Sequence, residues 1–315
     1  MGIVVIGATF VDIKGFPEDS YIPTGRNVGR VEYIHGGVAR NVVEDIANVE
    51  LRPTFLGIVD DTPMGTDVLQ KLKNHKVNTD YVLTIPGGMG TWLAVFDNNG
   101  DVAGSISKRP NMLPLVELLK EKGDEIFSAA DSVVLEVDLD KEIVKATLDL
   151  AEKHGVKAFA LVSNMNIAAK RRDFLQRFDC FICNQQEAGM LFLDDYSDLP
   201  PEEMKEMLVQ KVMQARFPAM VVTMGAQGAV YACLNGESGV CSARKVQVRD
   251  TTGAGDAFCA GVSIGLTYGK KMDDAIEIGS VLAASVITSS ENVCPRFQPA
   301  EFGIEIESKA AEKYA

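Results

Sequence analysis

At 315 residues, with 46% hydrophobic and 24% charged residues, the chain has the make-up of an ordinary folded protein with room for a full core, as one large domain or two smaller ones. Asp and Glu outnumber Lys and Arg by 44 to 31, a formal charge of -13; such a field repels phosphate backbones and argues against a nucleic-acid partner, though not against a small anion held by a local nest of N–H groups or a few Arg side chains. No apolar run approaches the roughly 18 residues of a membrane span, and the start Met1-Gly2-Ile3-Val4-Val5-Ile6, with no basic leader and with Asp12 soon after, is unlike a signal peptide, so the expectation is a cytoplasmic protein with no membrane partner.

In chain order, a Val/Ile-rich run at 3–6 reads as a buried strand, and 9–35 has no helical period and is dense in Gly, Pro and polar residues. An amphipathic helical pattern follows at 39–49, an apolar run at 54–59 and a second helical pattern at 66–75. Residues 91–96 and 102–107, joined through Asn98-Asn99-Gly100-Asp101, read as a β-hairpin. Apolar runs at 132–137, 156–162, 180–183 and 220–224 then alternate with helical patterns at 141–154 and 202–215. This alternation predicts an α/β fold with a mostly parallel sheet covered on both faces. The two segments that break the rhythm, about 9–35 and 88–107, predict a small β-lid on a single α/β domain spanning 1–315.

All six cysteines lie in the C-terminal half, mostly among apolar neighbours, as expected of buried, reduced thiols. Cys180 and Cys183 form a C-x-x-C filled by Phe181 and Ile182; period 2 places their sulfurs on opposite faces of a strand, which excludes a shared metal. The three histidines, His35, His75 and His154, have no metal-ligand spacing. His75 and His154 are expected on exposed helix ends, while His35 adjoins a glycine pair and is a candidate to line a site.

The string Asp250-Thr251-Thr252-Gly253-Ala254-Gly255-Asp256-Ala257-Phe258 follows a strand-like run at 245–248 and opens an apolar helix reaching about Leu266. A small-residue loop at a helix start exposes unpaired N–H groups at the positive end of the dipole, which together hold phosphate oxygens. The same dipole favours an ionised carboxylate in the first turn, so Asp256 is expected to be charged at neutral pH and able to accept a proton. A base beside an anion nest suits transfer of a γ-phosphoryl group to an alcohol, whose loose transition state needs positioning and charge stabilisation. A lone Gly-Ala-Gly-Asp would be read as a capped turn.

The nine-residue string is longer than that, and it closely resembles the C-terminal signature of the PfkB/ribokinase family of carbohydrate kinases. The resemblance implies a ribokinase-like three-layer α/β/α fold with a small β-sheet lid, with Asp256 as the catalytic base and Gly253, Ala254 and Gly255 as the anion hole. Gly36-Gly37-Val38-Ala39-Arg40-Asn41 is similar to the family's first signature, and Asp12 sits where the family has a sugar-binding Asp. Paired glycines permit close approach to a polyol, while Asp and Asn supply the groups that read ring hydroxyls; Asp12, Gly36, Gly37 and Asn41 are thus the implied substrate residues. Asn184-Gln185-Gln186-Glu187 resembles the family's N-x-x-E motif, which implies that Glu187 organises Mg2+ beside the phosphates of ATP and that Asn184 lies at the nucleotide. Thr223, Gly225 and Gly228 resemble the nucleotide-side strand and turn. Asp250 and Thr252 correspond to positions that bind a monovalent cation (K+) in some members, but the later loop, Thr288-Ser289-Ser290-Glu291-Asn292, departs from the small residues usual there. Ser280 stands where many members have an Asn lining the adenine site.

A dehydrogenase finds no G-x-G-x-x-G, and a Walker-type NTPase fails because Lys271 follows Gly269-Lys270 where Ser or Thr is required. The expectation is an ATP-dependent kinase acting on a hydroxyl of a sugar or sugar-containing small molecule; a non-catalytic sensor is the rival. The acceptor stays open. Arg40 before Asn41, and the hairpin ending Ser105-Ile106-Ser107, resemble the nucleoside-directed, pseudouridine-kinase-like branch, whereas Arg26, Arg30, Lys108 and Arg109 would suit a sugar phosphate. Exposed lid strands are able to pair with a second copy, as lids do in several relatives, which gives a homodimer as a further expectation.

Overall fold

The computed structural model describes residues 2–305; Met1 and 306–315, included in the expected span 1–315, lie outside the described residues. In chain order the elements are β1 (Ile3–Ile6), β2 (Phe10–Pro17), β3 (Gly29–Gly36), α1 (Val38–Asn48), β4 (Thr54–Leu56), β5 (Ile58–Val59), α2 (Pro63–Asn74), β6 (Leu83–Thr84), β7 (Gly90–Phe96) and β8 (Val102–Lys108). They continue with α3 (Pro114–Phe127), β9 (Ser132–Glu136), α4 (Lys141–His154), β10 (Lys157–Leu161), α5 (Met165–Ala168), α6 (Arg172–Leu175), β11 (Cys180–Asn184), α7 (Gln185–Phe192) and α8 (Pro201–Ala215). The last are β12 (Ala219–Thr223), β13 (Ala229–Cys233), β14 (Ser238–Cys241), α9 (Ala254–Thr267) and α10 (Met272–Ile287).

Eight strands form one sheet in the order β14-β13-β12-β11-β10-β9-β1-β4. The pairs from β4 through to β12 are parallel, and β13 and β14 close the edge antiparallel. Strands such as Ile3-Val4-Val5-Ile6 are apolar at every position because both faces are covered. Ile3 and Val5 enter the cluster under α1, α2, α9 and α10, while Val4 and Ile6 enter the cluster under α3, α4 and α8. The result is the expected three-layer α/β/α arrangement. Cys180 and Cys183 fall into opposite clusters, as period 2 required, and all six cysteines are free thiols.

Local chemistry explains the boundaries that position the site. Thr62 caps α2, accepting from the Gly65 N–H with Pro63 in the first turn. Asn184 and Glu187 form a reciprocal capping box at the start of α7. Helices α9 and α10 approach so closely that a Cβ on Gly261 would stand 2.6 Å from the Gly279 Cα. Gly261→Val should therefore destabilise the fold by about 1–3 kcal/mol through overpacking; an unchanged urea midpoint would contradict that contact.

A second sheet carries the order β3-β2-β7-β8. Two antiparallel hairpins, β2/β3 and β7/β8, are joined by one parallel pairing of β2 with β7. These are the two segments that broke the α/β rhythm. Two expectations need correction. The run 54–59 is two strands: after Gly57 the chain leaves the large sheet and β5 pairs with β6 instead. The strand-like run 245–248 is an exposed stretch without regular structure; its alternation has no neighbouring edge to pair with, and the chain there is held instead by the Arg249 N–H donating to the Ile287 carbonyl (2.7 Å). Among the described residues, no helix is long and apolar enough to cross a membrane.

Candidate active site

The C-terminal ends of the parallel strands, with the loops that follow them, gather most of the polar residues singled out in the sequence, as is general for open α/β sheets. At the first of these ends the chain passes from β1 through Ala8 and Thr9 into the small sheet, whose strand β2 carries Asp12 and whose partner β3 ends at Gly36. Glycine is required at both positions of the pair. A Cβ on Gly36 would lie 2.7 Å from the Asp12 Oδ1, and Gly37 holds φ at +96° with the Ala8 carbonyl 2.6 Å from where its Cβ would be. This turn delivers Asn41 into the first turn of α1, its N–H bonded to the Gly37 carbonyl (2.9 Å).

From the other end of the chain, α9 brings Asp256. The Asn41 Nδ2 donates to the Asp256 Oδ2 at 2.7 Å, across 215 residues of sequence. Gly253 caps α9 at φ +83°, and the first N–H groups of the helix have no intrahelical acceptor. The Ala254 N–H is occupied by the Thr251 carbonyl (3.2 Å), which leaves the N–H groups of Gly255 and Asp256 to form the nest. A Cβ placed on Gly255 would meet nothing within 4 Å, so the start of the helix is open beside these donors.

Asp256 does not behave as the helix dipole alone suggests. Enclosure by protein pushes its carboxyl up to about 7, against the Asn41 hydrogen bond and the Arg40 charge, which pull it down, while Asp12 and Glu187 add to the rise. The expectation of a fully ionised Asp256 at neutral pH is corrected to a group poised near its midpoint. Asp12 is likewise raised by burial, with Lys14 and Arg40 opposing.

On the nucleotide side, Asn184 and Thr223 are register partners at the ends of β11 and β12. The Glu187 Oε2 accepts from the Asn184 N–H (2.8 Å), and its carboxyl is raised, chiefly by burial. Its second oxygen accepts no hydrogen bond among the described residues, and a hard carboxylate oxygen of this kind fits a magnesium ion that otherwise keeps water and phosphate ligands. Gly225 is open to solvent space at φ +56°, whereas Gly228, at φ +99°, is fixed by packing, because its Cβ would stand 2.0 Å from the Cys241 carbonyl. Asp250 accepts from the Thr252 N–H (2.9 Å), which lowers its carboxyl. Asp250 and Thr252 share a cavity of about 310 Å³ with Lys14, His35 and Asn292. A larger hollow of about 610 Å³ beside Leu193 and Tyr196 contains none of these groups.

Several residues of the site escaped sequence reasoning. Asn292 donates to the His35 carbonyl (2.9 Å) and the Asn41 Oδ1 (3.3 Å). Glu136, at the end of β9, accepts from the Ala8 N–H (2.8 Å) and the Ser163 hydroxyl (2.8 Å); burial first, then Asp138, push its carboxyl up to about 8. Asp138 binds Arg109 at 2.7 Å. The available signal was a pair of carboxylates, Glu136 and Asp138, terminating an otherwise apolar strand. Lys14 stands two residues beyond Asp12 on the same face of β2, 8% exposed, with no carboxylate within 4.0 Å among the described residues. His75 and His154, expected to be exposed, are both partly buried: the His75 Nδ1 lies 2.6 Å from the Asn48 Oδ1 and its Nε2 3.7 Å from the Glu44 Oε1, and the His154 Nε2 lies 2.7 Å from the Asp124 Oδ1.

A carboxylate poised near neutrality beside a helix-start anion nest, on a doubly covered α/β sheet with a small β-sheet at its mouth, defines a phosphotransferase that uses an alcohol as acceptor. Residues 2–294 match the pfkB family carbohydrate kinase pattern, and the chain belongs to that family. It is similar to guanosine-inosine kinase of Exiguobacterium acetylicum, 35% identical over 292 residues that cover 92% of this chain and 95% of that protein. It is also similar to pseudouridine kinase of Escherichia coli strain K12, 27% identical over 263 residues covering 83% and 82% of the two chains. The structure of Arabidopsis thaliana ribokinase complexed with ribose and ATP shares the fold, with a TM-score of 0.84 at 20% identity over 95% and 97% of the two chains. The protein is therefore an ATP-dependent kinase that phosphorylates a hydroxyl of a sugar or sugar-containing molecule. Kinases of this family use ATP, typically with Mg2+.

Proposed function

We propose that the acceptor is a nucleoside and that Asp256 is the base that takes the proton from its sugar hydroxyl. The 2.7 Å bond between the Asn41 Nδ2 and the Asp256 Oδ2 carries the site assignment, because it joins the two family motifs into one constellation. Asp12 and Asn41 bind the sugar, with Gly36 and Gly37 allowing its close approach. As the acceptor oxygen bonds to the γ-phosphorus, Asp256 receives the hydroxyl proton and the bond between the γ-phosphorus and the bridging oxygen breaks, releasing ADP. The N–H groups at the start of α9, at Gly255 and Asp256, neutralise charge on the transferring group, while that of Ala254 is taken by the Thr251 carbonyl. Asn184, Thr223, Gly225 and Gly228 form the nucleotide side. Glu187 would hold Mg2+, which would supply charge neutralisation at the phosphates. Asp250 and Thr252 are the residues that would hold a K+ ion.

The nucleoside branch rests on the 35% identity to guanosine-inosine kinase and on the site-facing side of the small sheet. There Trp92 is the register partner of Asp12, and Lys14 follows on the same face, an aromatic surface and a donor suited to a base. The lid cations do not form a phosphate pocket. Arg30 stacks on Phe16 (4.2 Å) and pairs with Glu32, Arg109 is bound to Asp138, and Arg26 and Lys108 are exposed. Magnesium-dependent ADP release should accordingly be stimulated by inosine, guanosine or pseudouridine more than by ribose or fructose 6-phosphate. Preference for a sugar phosphate would overturn the nucleoside reading. Because the carboxyl near 7 belongs to the free enzyme and the base must be unprotonated, kcat/KM should fall about tenfold per pH unit below ~7. An acid limb near pH 4 would show that the Asp256 carboxyl keeps its ordinary range when it acts as the base.

Segments 9–35 and 88–107 act as a lid on a single domain that spans 1–315. Its outer face places Tyr33, Leu93 and Ile106 in one cross-strand row, 61%, 41% and 70% exposed; a homodimer through this face would cover them. Free thiols and the absence of a membrane-crossing helix among the described residues support a cytoplasmic location.

A further inference from the structure

Arg40 is 1% exposed and among the largest fully buried side chains of the molecule. Its Nη1 pairs with the Glu44 carboxylate one turn along α1, and its Nη2 donates to both the His35 carbonyl and the Asn41 Oδ1. A buried ion pair is a poor source of stability, since apolar residues of similar volume commonly do as well or better. Glu44 also has Lys71 at 3.1 Å and His75 at 3.7 Å, so its charge does not depend on Arg40 alone. Beyond that pair, Arg40 supplies a donor to the Asn41 oxygen, which it shares with the longer bond from Asn292 (3.3 Å).

That donor removes an ambiguity. An Asn side chain presents an oxygen and an NH2 group of nearly the same shape, and its orientation is set by its neighbours. Here the oxygen meets Arg40 Nη2 and Asn292 Nδ2, both donors, so the NH2 must face the Asp256 Oδ2. Reversing the amide would set donor against donor at one end and acceptor against carboxylate at the other. We propose that Arg40 is a positioning residue for phosphoryl transfer: by holding the Asn41 oxygen it commits the Asn41 amide to Asp256 and aims the carboxylate at the acceptor hydroxyl. This rests on the assignment of Asp256 as the base. The charged and titratable groups around Asp256 are Arg40 and Asp45 from α1, Asp12 from β2, Glu187 from α7, and Cys259 on its own helix. Arg40 is the one cation among them, so its loss also raises the proton affinity of Asp256.

The test compares Arg40→Met combined with Glu44→Gln, which removes both charges of the buried pair, with Arg40→Lys, which keeps the charge but not the two-armed reach. Kinetics would be measured with ATP and the nucleoside or sugar that the unaltered enzyme phosphorylates fastest, alongside thermal melting. The double variant should lose on the order of 10²-fold in kcat with the ATP KM within about threefold, and the acid limb of its kcat/KM profile should move up by about one pH unit. Arg40→Lys should lose about tenfold in kcat with a smaller upward shift. A kcat loss with an unmoved acid limb, or a loss no greater than the loss of folded protein, overturns the proposal. If the double variant does not fold, Arg40→Lys decides: an unaltered kcat and acid limb overturn it, and the lowered kcat with the shifted limb supports it. Asp256→Asn run in parallel separates the two ideas, because full activity there defeats the base assignment itself.

Discussion

Asp256→Asn should lower kcat by about 10²- to 10⁴-fold, the range typical for removal of a general base, while ATP binding is retained. The amide has the shape of the carboxylate and can still accept the Asn41 Nδ2 bond (2.7 Å in the unaltered protein), so the constellation is preserved and only the proton acceptor is lost. Stability supplies an independent check. The folded-state carboxyl sits near 7, raised mainly by enclosure, so ionising it opposes folding; the penalty grows between about pH 4 and 7 and is complete above 7. At pH 8 the variant should melt no lower than its parent, and the two should converge as the pH falls towards about 4. Rates equal to the parent's would show that another group takes the proton, and a lower melting temperature at pH 8 would show that the charge is better solvated than its surroundings suggest.

Gly253→Ala carries the second large effect. The residue holds φ at +83°, and its Cβ would lie 2.1 Å from the carbonyl oxygen of Asn292, a backbone atom that cannot rotate aside. The substitution should cost about 1–2 kcal/mol in backbone strain and push the Asn292 segment outward. Asn292 also donates to the His35 carbonyl and the Asn41 oxygen, so the disturbance reaches both the anion nest and the amide that holds Asp256. A loss of about 10²- to 10³-fold in kcat is expected, as for removal of oxyanion-hole donors. Gly255→Ala is the control: its Cβ meets nothing within 4 Å, so it should fold normally and weaken ATP binding instead. If Gly253→Ala kept its kcat while Gly255→Ala lost ATP affinity, the nest would depend on Gly255 alone.

The six parallel strands of the large sheet were legible because burial on both faces demands continuous apolar runs, whereas the antiparallel β13 and β14 were not read, and α4 could be bounded to the residue. The run 245–248 misled because strand propensity says nothing about whether a partner edge exists. The break at Gly57 was invisible for a related reason: only the tertiary route of β5 to β6 separates it from β4. Within the site, motif residues such as Asn41 and Asp256 were found, but their 215-residue contact was not. Asn292 and Lys14 carried no pattern of their own. The ionisation of Asp256 was misjudged because a helix dipole can be read from sequence, whereas enclosure by Asp12, Glu187 and the surrounding chain cannot.

Helix α1 finds its hydrogen-bonding partners at the far end of the chain. Asp45 accepts from the Cys294 N–H (2.6 Å), Asn48 donates to the Cys294 carbonyl (2.6 Å), and the Phe297 N–H donates to the Asn48 carbonyl (2.8 Å). A ribosome adding about 5–20 residues per second would therefore need roughly 12–50 s to supply the partners of a helix it has already made. Until then the polar face of α1 has only water or a chaperone to satisfy it. Phosphoryl transfer can begin only once the chain has been made as far as Phe297, so a shorter nascent chain cannot turn over ATP with half a site.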